Sequence, residues 1–168
     1  MNILALDPAY STTGYAVLEK ETKKLLEVNK ITTSSKYDDD TRIEDILNEL
    51  YLVMYKYDIG LVVMENGYVG SNGKTSLQLA YLRGFMVSSL RKYGLLVIKR
   101  LPSEVRKDIG LKGNANKEQV ANKMTEIYKD SEVFKAIGPY SDKQNKDKTS
   151  DMYDAVATGY SYCVSEEN

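Results

Sequence analysis

The chain has 168 residues, 42% hydrophobic and 28% charged, with 11 glycines and 3 prolines. That length and composition bury one globular core without a disulfide or metal staple, and they exclude disordered, collagen-like and low-complexity classes. The absence of histidine excludes Ser-His-Asp and Cys-His catalysis and His-ligated zinc, so any chemistry must run on carboxylates, Lys, Tyr, Ser or hard metal ions. The one cysteine, Cys163, sits among apolar neighbours and reads as core filler. The longest apolar runs, residues 61–64 and 95–98, fall far short of the ~20 residues that span a bilayer. With no basic leader at the start, the expectation is a cytoplasmic protein with no membrane partner.

In chain order, residues 2–6 form a short apolar run ending at Asp7, and residues 14–18 and 25–32 follow at hairpin spacing, which predicts three antiparallel strands. Asp38, Asp39 and Asp40 then precede Ile43, Ile46, Leu47, Leu50 and Met54 at helical spacing, so the acidic run reads as a helix-start device and not as a metal site. A wholly apolar strand, 61–64, closes at Glu65. Helical period returns over 75–93 and stops at Gly94, and residues 95–98 give another buried strand. Pro102 and Ser103 open a short helix, 117–128 reads as a longer one, and 131–149 is taken for a polar loop. Ser150 is expected to cap a last helix running to about Cys163. The alternation predicts an α/β fold: a mixed sheet of three antiparallel strands and then parallel strands, flanked by helices.

The net charge of −1 conceals an asymmetry. Residues 1–70 carry −5 and residues 118–168 carry −4, whereas residues 71–117 carry +8 and include Lys74, Arg83, Arg106, Lys107, Lys112 and Lys117. A basic segment of that strength suits phosphates, although a solvated surface explains it equally well. The 14 tyrosines are mostly packing residues, with about one or two in ten available as stacking platforms.

Four acids form a candidate site. Asp7 and Glu65 close two strands, where ligands of such sheets collect, and Asp151 and Asp154, three apart, share one face near the start of the last helix. Each alone has an ordinary explanation, either complementing the helix dipole or marking a return to solvent. Together, four carboxylates suit Mg²⁺ or Mn²⁺, and two such ions roughly 3.5–4 Å apart clamp the attacking and leaving oxygens of a phosphodiester.

The ordered set Ile3-Leu4-Ala5-Leu6-Asp7-Pro8, Thr13-Gly14-Tyr15-Ala16-Val17, Val62-Val63-Met64-Glu65, Lys117 before a helix, and Asp151-x-x-Asp154-Ala155 resembles the RuvC family of Holliday junction resolvases. The resemblance implies a single RNase H-like nuclease domain over residues 1–168 that works as a homodimer and uses Mg²⁺ to nick opposed strands of branched DNA during recombination and repair. It makes Asp7, Glu65, Asp151 and Asp154 the metal-binding carboxylates and gives Lys117 a catalytic place near the scissile phosphate. It makes Tyr68 an aromatic inserted at the junction centre and Arg106 a DNA contact, while Lys74, Lys107 and Lys112 extend the basic surface toward DNA. Two departures stand out. Ala9 replaces the family's glycine after Asp-Pro, and the polar stretch 131–149 is longer than in bacterial members, which points to a divergent, phage-encoded branch.

Rival readings weigh less. Gly67 to Lys74 looks like a phosphate-binding loop, but five residues separate Gly67 from Gly73 where a P-loop needs four. An actin-like ATPase needs two such domains. An RNase H-like enzyme acting on RNA or on an RNA/DNA hybrid keeps the same acids, since 2′-hydroxyl contacts are not legible in sequence. A non-catalytic DNA-binding module would gain affinity by losing acids near phosphate.

Overall fold

The computed structural model describes residues 1–67, 72–143 and 148–166. Strands β1 (Asn2–Asp7), β2 (Thr12–Glu19) and β3 (Leu25–Thr32) form the expected antiparallel meander. Helix α1 (Asp39–Tyr57) leads to β4 (Ile59–Glu65), and α2 (Gly73–Lys92) leads to β5 (Leu96–Arg100), each strand joining in parallel. The sheet order is β3-β2-β1-β4-β5. Helices α3 (Pro102–Asp108), α4 (Lys117–Ile127), α5 (Glu132–Lys135) and α6 (Ser150–Ser165) complete the chain. Ser150 is not the cap of α6 but its first residue, with Thr149 in the cap position.

β1 reads as a continuous apolar run because it is central and covered on both faces, with Ile3, Leu4, Ala5 and Leu6 fully buried. Side chains alternate across the sheet. Leu4, Leu6, Val62 and Met64 face a core made with α1 and α2, whereas Ile3, Ala5, Leu61 and Val63 face one made with α3, α4 and α6. By that alternation Asp7 and Glu65 belong to the second face, and the parallel register, Leu6 opposite Met64, sets the two strand ends side by side.

The acidic run before α1 is the helix-start device the sequence implied. Asp38 caps the helix, accepting from the Thr41 N–H at 2.9 Å and the Thr41 hydroxyl at 3.0 Å, with Asp39 and Asp40 in the first turn. The stretch 131–149 departs from a simple polar loop. Ser131 caps the single turn of α5, and Phe134 and Ile137 are buried, Phe134 stacking on Tyr128 with 5.6 Å between ring centroids. Cys163 is buried in the core as expected. Among the described residues no helix is long and apolar enough to cross a membrane.

Candidate active site

Two glycines let α6 settle onto the sheet. A Cβ on Gly159 would meet Leu18 Cδ1 at 2.5 Å and Ala5 Cβ at 2.9 Å, and a Cβ on Gly14 would lie 2.0 Å from the backbone oxygen of Asp151. Since Gly14 is the register partner of Asp7, this contact brings the first turn of α6 to the end of β1. Carboxylate oxygens of Asp7, Asp151 and Asp154 gather within 4.8 Å of one another. Glu65 stands outside that trio but close enough for its charge to act on Asp7 and for the charge of Asp154 to act on it.

Lys117 occupies the first position of α4, a helix opened by reciprocal bonds between Asn116 and Gln119, each 2.9 Å. A cation there opposes the helix dipole. Its compensation is tertiary: the ammonium reaches Asp154 Oδ2 at 2.7 Å. Arg106 on α3 donates to the Gly113 carbonyl at 3.4 Å, and its charge is felt by both Glu65 and Asp154. α3 is itself tied down, because Asp108 accepts from Arg100 at the end of β5 and from Ser161 Oγ of α6 at 2.6 Å.

The electrostatics follow from packing several like charges in a dry corner. Burial, reinforced by Glu65 and Asp154 and opposed by Lys117, holds the Asp7 carboxyl well above the usual carboxylate range. Burial and the charge of Asp154 push Glu65 up to about 7 against the pull of Lys117, Arg83 and Arg106. Asp154 is also raised, by burial first, with Lys117 pulling it back. Partial burial works against the Lys117 ammonium, but Asp154 and Asp7 outweigh it and raise its pKa. Four carboxylates against two ion-paired lysines, Lys117 on Asp154 and Lys148 on Asp151, leave more acids than direct counter-ions in one partly buried corner, the condition that a divalent cation with oxygen ligands relieves.

Of the residues the sequence singled out, Asp7, Glu65, Asp151, Asp154 and Lys117 come together here, with Arg106 at the edge. Lys74, Lys107 and Lys112 lie exposed on α2, on α3 and between α3 and α4. Tyr68 lies outside the described residues. Two site residues escaped sequence reading. Arg83 of α2 lies beside Gly67, its Nη2 2.6 Å from where a Cβ on Gly67 would sit, and its buried Nε has no hydrogen-bond partner among the described residues. Lys148 reaches Asp151 Oδ2 at 2.9 Å. The signal for Lys148 was its i,i+3 spacing to Asp151. For Arg83 only the basic bias of residues 71–117 pointed the way.

A three-strand meander continued by two parallel strands in this order, with acids at the ends of β1 and β4 and on a helix laid across them, defines the RNase H-like class. Two solved structures share the fold. They are Thermus thermophilus RuvC in complex with a Holliday junction substrate (TM-score 0.78, 17% identity, covering 99% of this chain and 95% of that one) and the yeast mitochondrial Holliday junction resolvase Ydc2 (TM-score 0.66, 13% identity, covering 96% and 77%). Within the class the chain belongs to the RuvC family. The model of that family, crossover junction endodeoxyribonuclease RuvC, matches residues 3–137. The enzyme of that name from Rickettsia typhi is 32% identical over 169 residues, with 99% of each chain covered, and that from Ehrlichia canis is 30% identical over 169 residues, with 100% of this chain and 99% of its own covered. Both of these relatives are bacterial.

Proposed function

We propose that this chain is a metal-dependent endonuclease that resolves four-way and other branched DNA junctions by paired phosphodiester hydrolysis, working as a homodimer in the cytoplasm. The observation that carries the reading is the convergence of Asp7, Asp151 and Asp154 within 4.8 Å, beside Glu65 and Lys117, in a chain of the RuvC family. The donors are hard oxygens in a crowded, partly buried acidic site, which fits Mg²⁺, with Mn²⁺ able to substitute. Asp7, Glu65, Asp151 and Asp154 would hold two ions per site. Bound there, such ions supply Lewis-acid polarisation of the phosphoryl group and offset its charge.

The chain's own residues do the rest. Lys117, kept protonated by Asp154 and Asp7, places a fixed positive charge where a phosphate enters and where negative charge grows as the bond breaks. Arg106 and Arg83 draw the DNA backbone toward Glu65 across a surface otherwise hostile to phosphate. The basic segment 71–117 extends that attraction through Lys74, Lys107 and Lys112, and Tyr68, on the family resemblance, meets bases unstacked at the branch point.

Among the described residues one chain presents one acidic cluster, whereas resolution needs two cuts. On α2, Leu82, Met86, Val87 and Leu90 are buried in the domain core, but Leu77, Tyr81 and Phe85 are 72%, 49% and 41% exposed. Spaced four apart, these three form an apolar stripe on one helix face, which suits an isologous contact with a second copy. The mechanism is tested by Asp7→Asn and Asp154→Asn, which remove a hard anionic ligand while keeping shape. Junction cleavage should fall by orders of magnitude while junction binding persists or tightens. Wild-type turnover in excess chelator would refute the metal-dependent reading.

A further inference from the structure

At the same end of the sheet as the acidic cluster, over β2 and β3, lies a second hollow of about 330 Å³ that the reading above does not use. Its lining is hydroxyls and cations: Ser11, Thr12, Thr32, Thr33 and Ser35 with Arg42 and Lys148. Thr12 pairs with Thr32 across the sheet, two residues along β2 from Gly14, the partner of Asp7. Lys148 belongs to both places, since it lines the hollow and its ammonium reaches Asp151.

Arg42 gives the hollow its chemistry. The side chain is only 13% exposed, and its guanidinium is fixed from two sides. It lies over the ring of Tyr10, 5.2 Å from the centroid, and its Nε donates to Thr33 Oγ1 at 2.8 Å. Asp39 Oδ1 stands 3.9 Å from Nη1, too far for a hydrogen bond. The four Nη N–H donors of the fork therefore have no hydrogen-bond partner among the described residues. On a residue that lines the hollow, such donors can take an incoming acceptor. A planar fork ringed by hydroxyls matches the paired oxygens of a phosphate. Lys30 adds positive charge at the rim, its ammonium donating to the Lys148 carbonyl at 2.5 Å.

We propose that this hollow binds a backbone phosphate of the DNA lying over the acidic cluster, with Arg42 as the fork and the hydroxyls of Ser11 and Ser35 as further donors, the Thr33 hydroxyl being already committed to the Tyr10 carbonyl. The proposal rests on the nuclease reading for the identity of its ligand, but the site itself rests on Arg42 and the lining. It would fix the strand on the β2–β3 side, opposite the basic segment 71–117, so that the scissile bond is held from both flanks.

The full chain is followed by NMR at the Arg42 side chain and at the backbone amides of Ser11 and Thr33 while inorganic phosphate, and separately a thymidine dinucleotide, is added. Saturable shifts are expected with both, tighter for the dinucleotide, and lost in Arg42→Gln. In a salt series, Arg42→Gln should reduce the slope of log affinity for a four-way junction against log salt by about 0.9 per protomer. Ser35→Asp, at an exposed position on the rim, should weaken junction binding several-fold without changing thermal stability, which covers the case in which Arg42→Gln fails to fold. No saturable shift with either probe, or tighter binding of free phosphate than of the dinucleotide, would overturn the proposal. A wild-type chain that cuts the junction while Arg42→Gln and Ser35→Asp keep both affinity and salt slope refutes the hollow and leaves the nuclease reading intact. A chain that shows the dinucleotide shifts but neither binds nor cuts a junction refutes the nuclease reading instead.

Discussion

Replacing Glu65 by Gln should stabilise the metal-free protein while disabling it. Burial and the neighbouring acid raise the Glu65 carboxyl from its ordinary 4.5 to about 7, so between those two values the folded chain holds a proton that the unfolded chain has released. Stability must then fall as pH rises through that window. At 1.36 kcal/mol per unit the full penalty above pH 7 is about 3 kcal/mol, and partial solvation of the carboxyl brings the expected gain from Glu65→Gln at pH 8 to about 1–3 kcal/mol. For a chain of this length that is roughly 3–10 °C in Tm. At pH 5 the native carboxyl is already protonated and the gain should nearly vanish. Thermal unfolding by circular dichroism at both pH values in chelator, and again with Mg²⁺, makes the test. Wild type should recover stability with Mg²⁺ more than the variant does, because it keeps the anionic ligand. A variant no more stable than wild type at pH 8, or equally stabilised at pH 5 and pH 8, would refute the picture of a strained acidic cluster.

Gly14→Ala should cost about 1–3 kcal/mol and a larger share of cleavage, because the new Cβ falls 2.0 Å from the Asp151 carbonyl oxygen and backbone cannot swing aside. Gly73→Ala, with nothing within 4 Å of the added carbon, is the control and should leave Tm unchanged or slightly higher. Leu77→Glu combined with Phe85→Glu should give monomers by sedimentation at micromolar concentration and abolish paired cutting; a persisting dimer would place the interface elsewhere. Tyr68→Ala should slow junction cleavage about tenfold or more, as expected for a lost stacking contact of about 1–3 kcal/mol, whereas Tyr68→Phe should match wild type in single-turnover rate.

The acids were legible in the sequence for definite reasons. Asp7 and Glu65 each end an apolar run, and a strand buried on both faces must stop where a carboxylate needs solvent or a counter-charge. Asp151 and Asp154 share a face by helical geometry. That the four belong together came from the family resemblance, because their distance in space depends on how closely α6 rests on β2, and that closeness is set by two absent side chains, at Gly14 and Gly159. Arg83 was not legible as a site residue, and Lys148 only through its three-residue spacing from Asp151, since the reach of a long side chain depends on tertiary placement. In α2 the apolar positions outnumbered what one core face can take, and pattern could not divide Leu82 and Met86, which are buried, from Leu77 and Phe85, which are exposed. The turn of α5 was hidden because Val133, Phe134 and Ile137 are diluted by polar neighbours over 131–149.

The central claim is tested most directly by incubating the purified chain and Mg²⁺ with a synthetic four-way junction, a linear duplex of matched sequence and an RNA/DNA hybrid, and mapping the cuts on every strand. The expected result is paired, symmetric nicks on two opposed strands of the junction, with the duplex and the hybrid left essentially intact and no cutting in excess chelator. Equal cleavage of the linear duplex, preferential cleavage of the hybrid, or junction cutting without a divalent ion would contradict it.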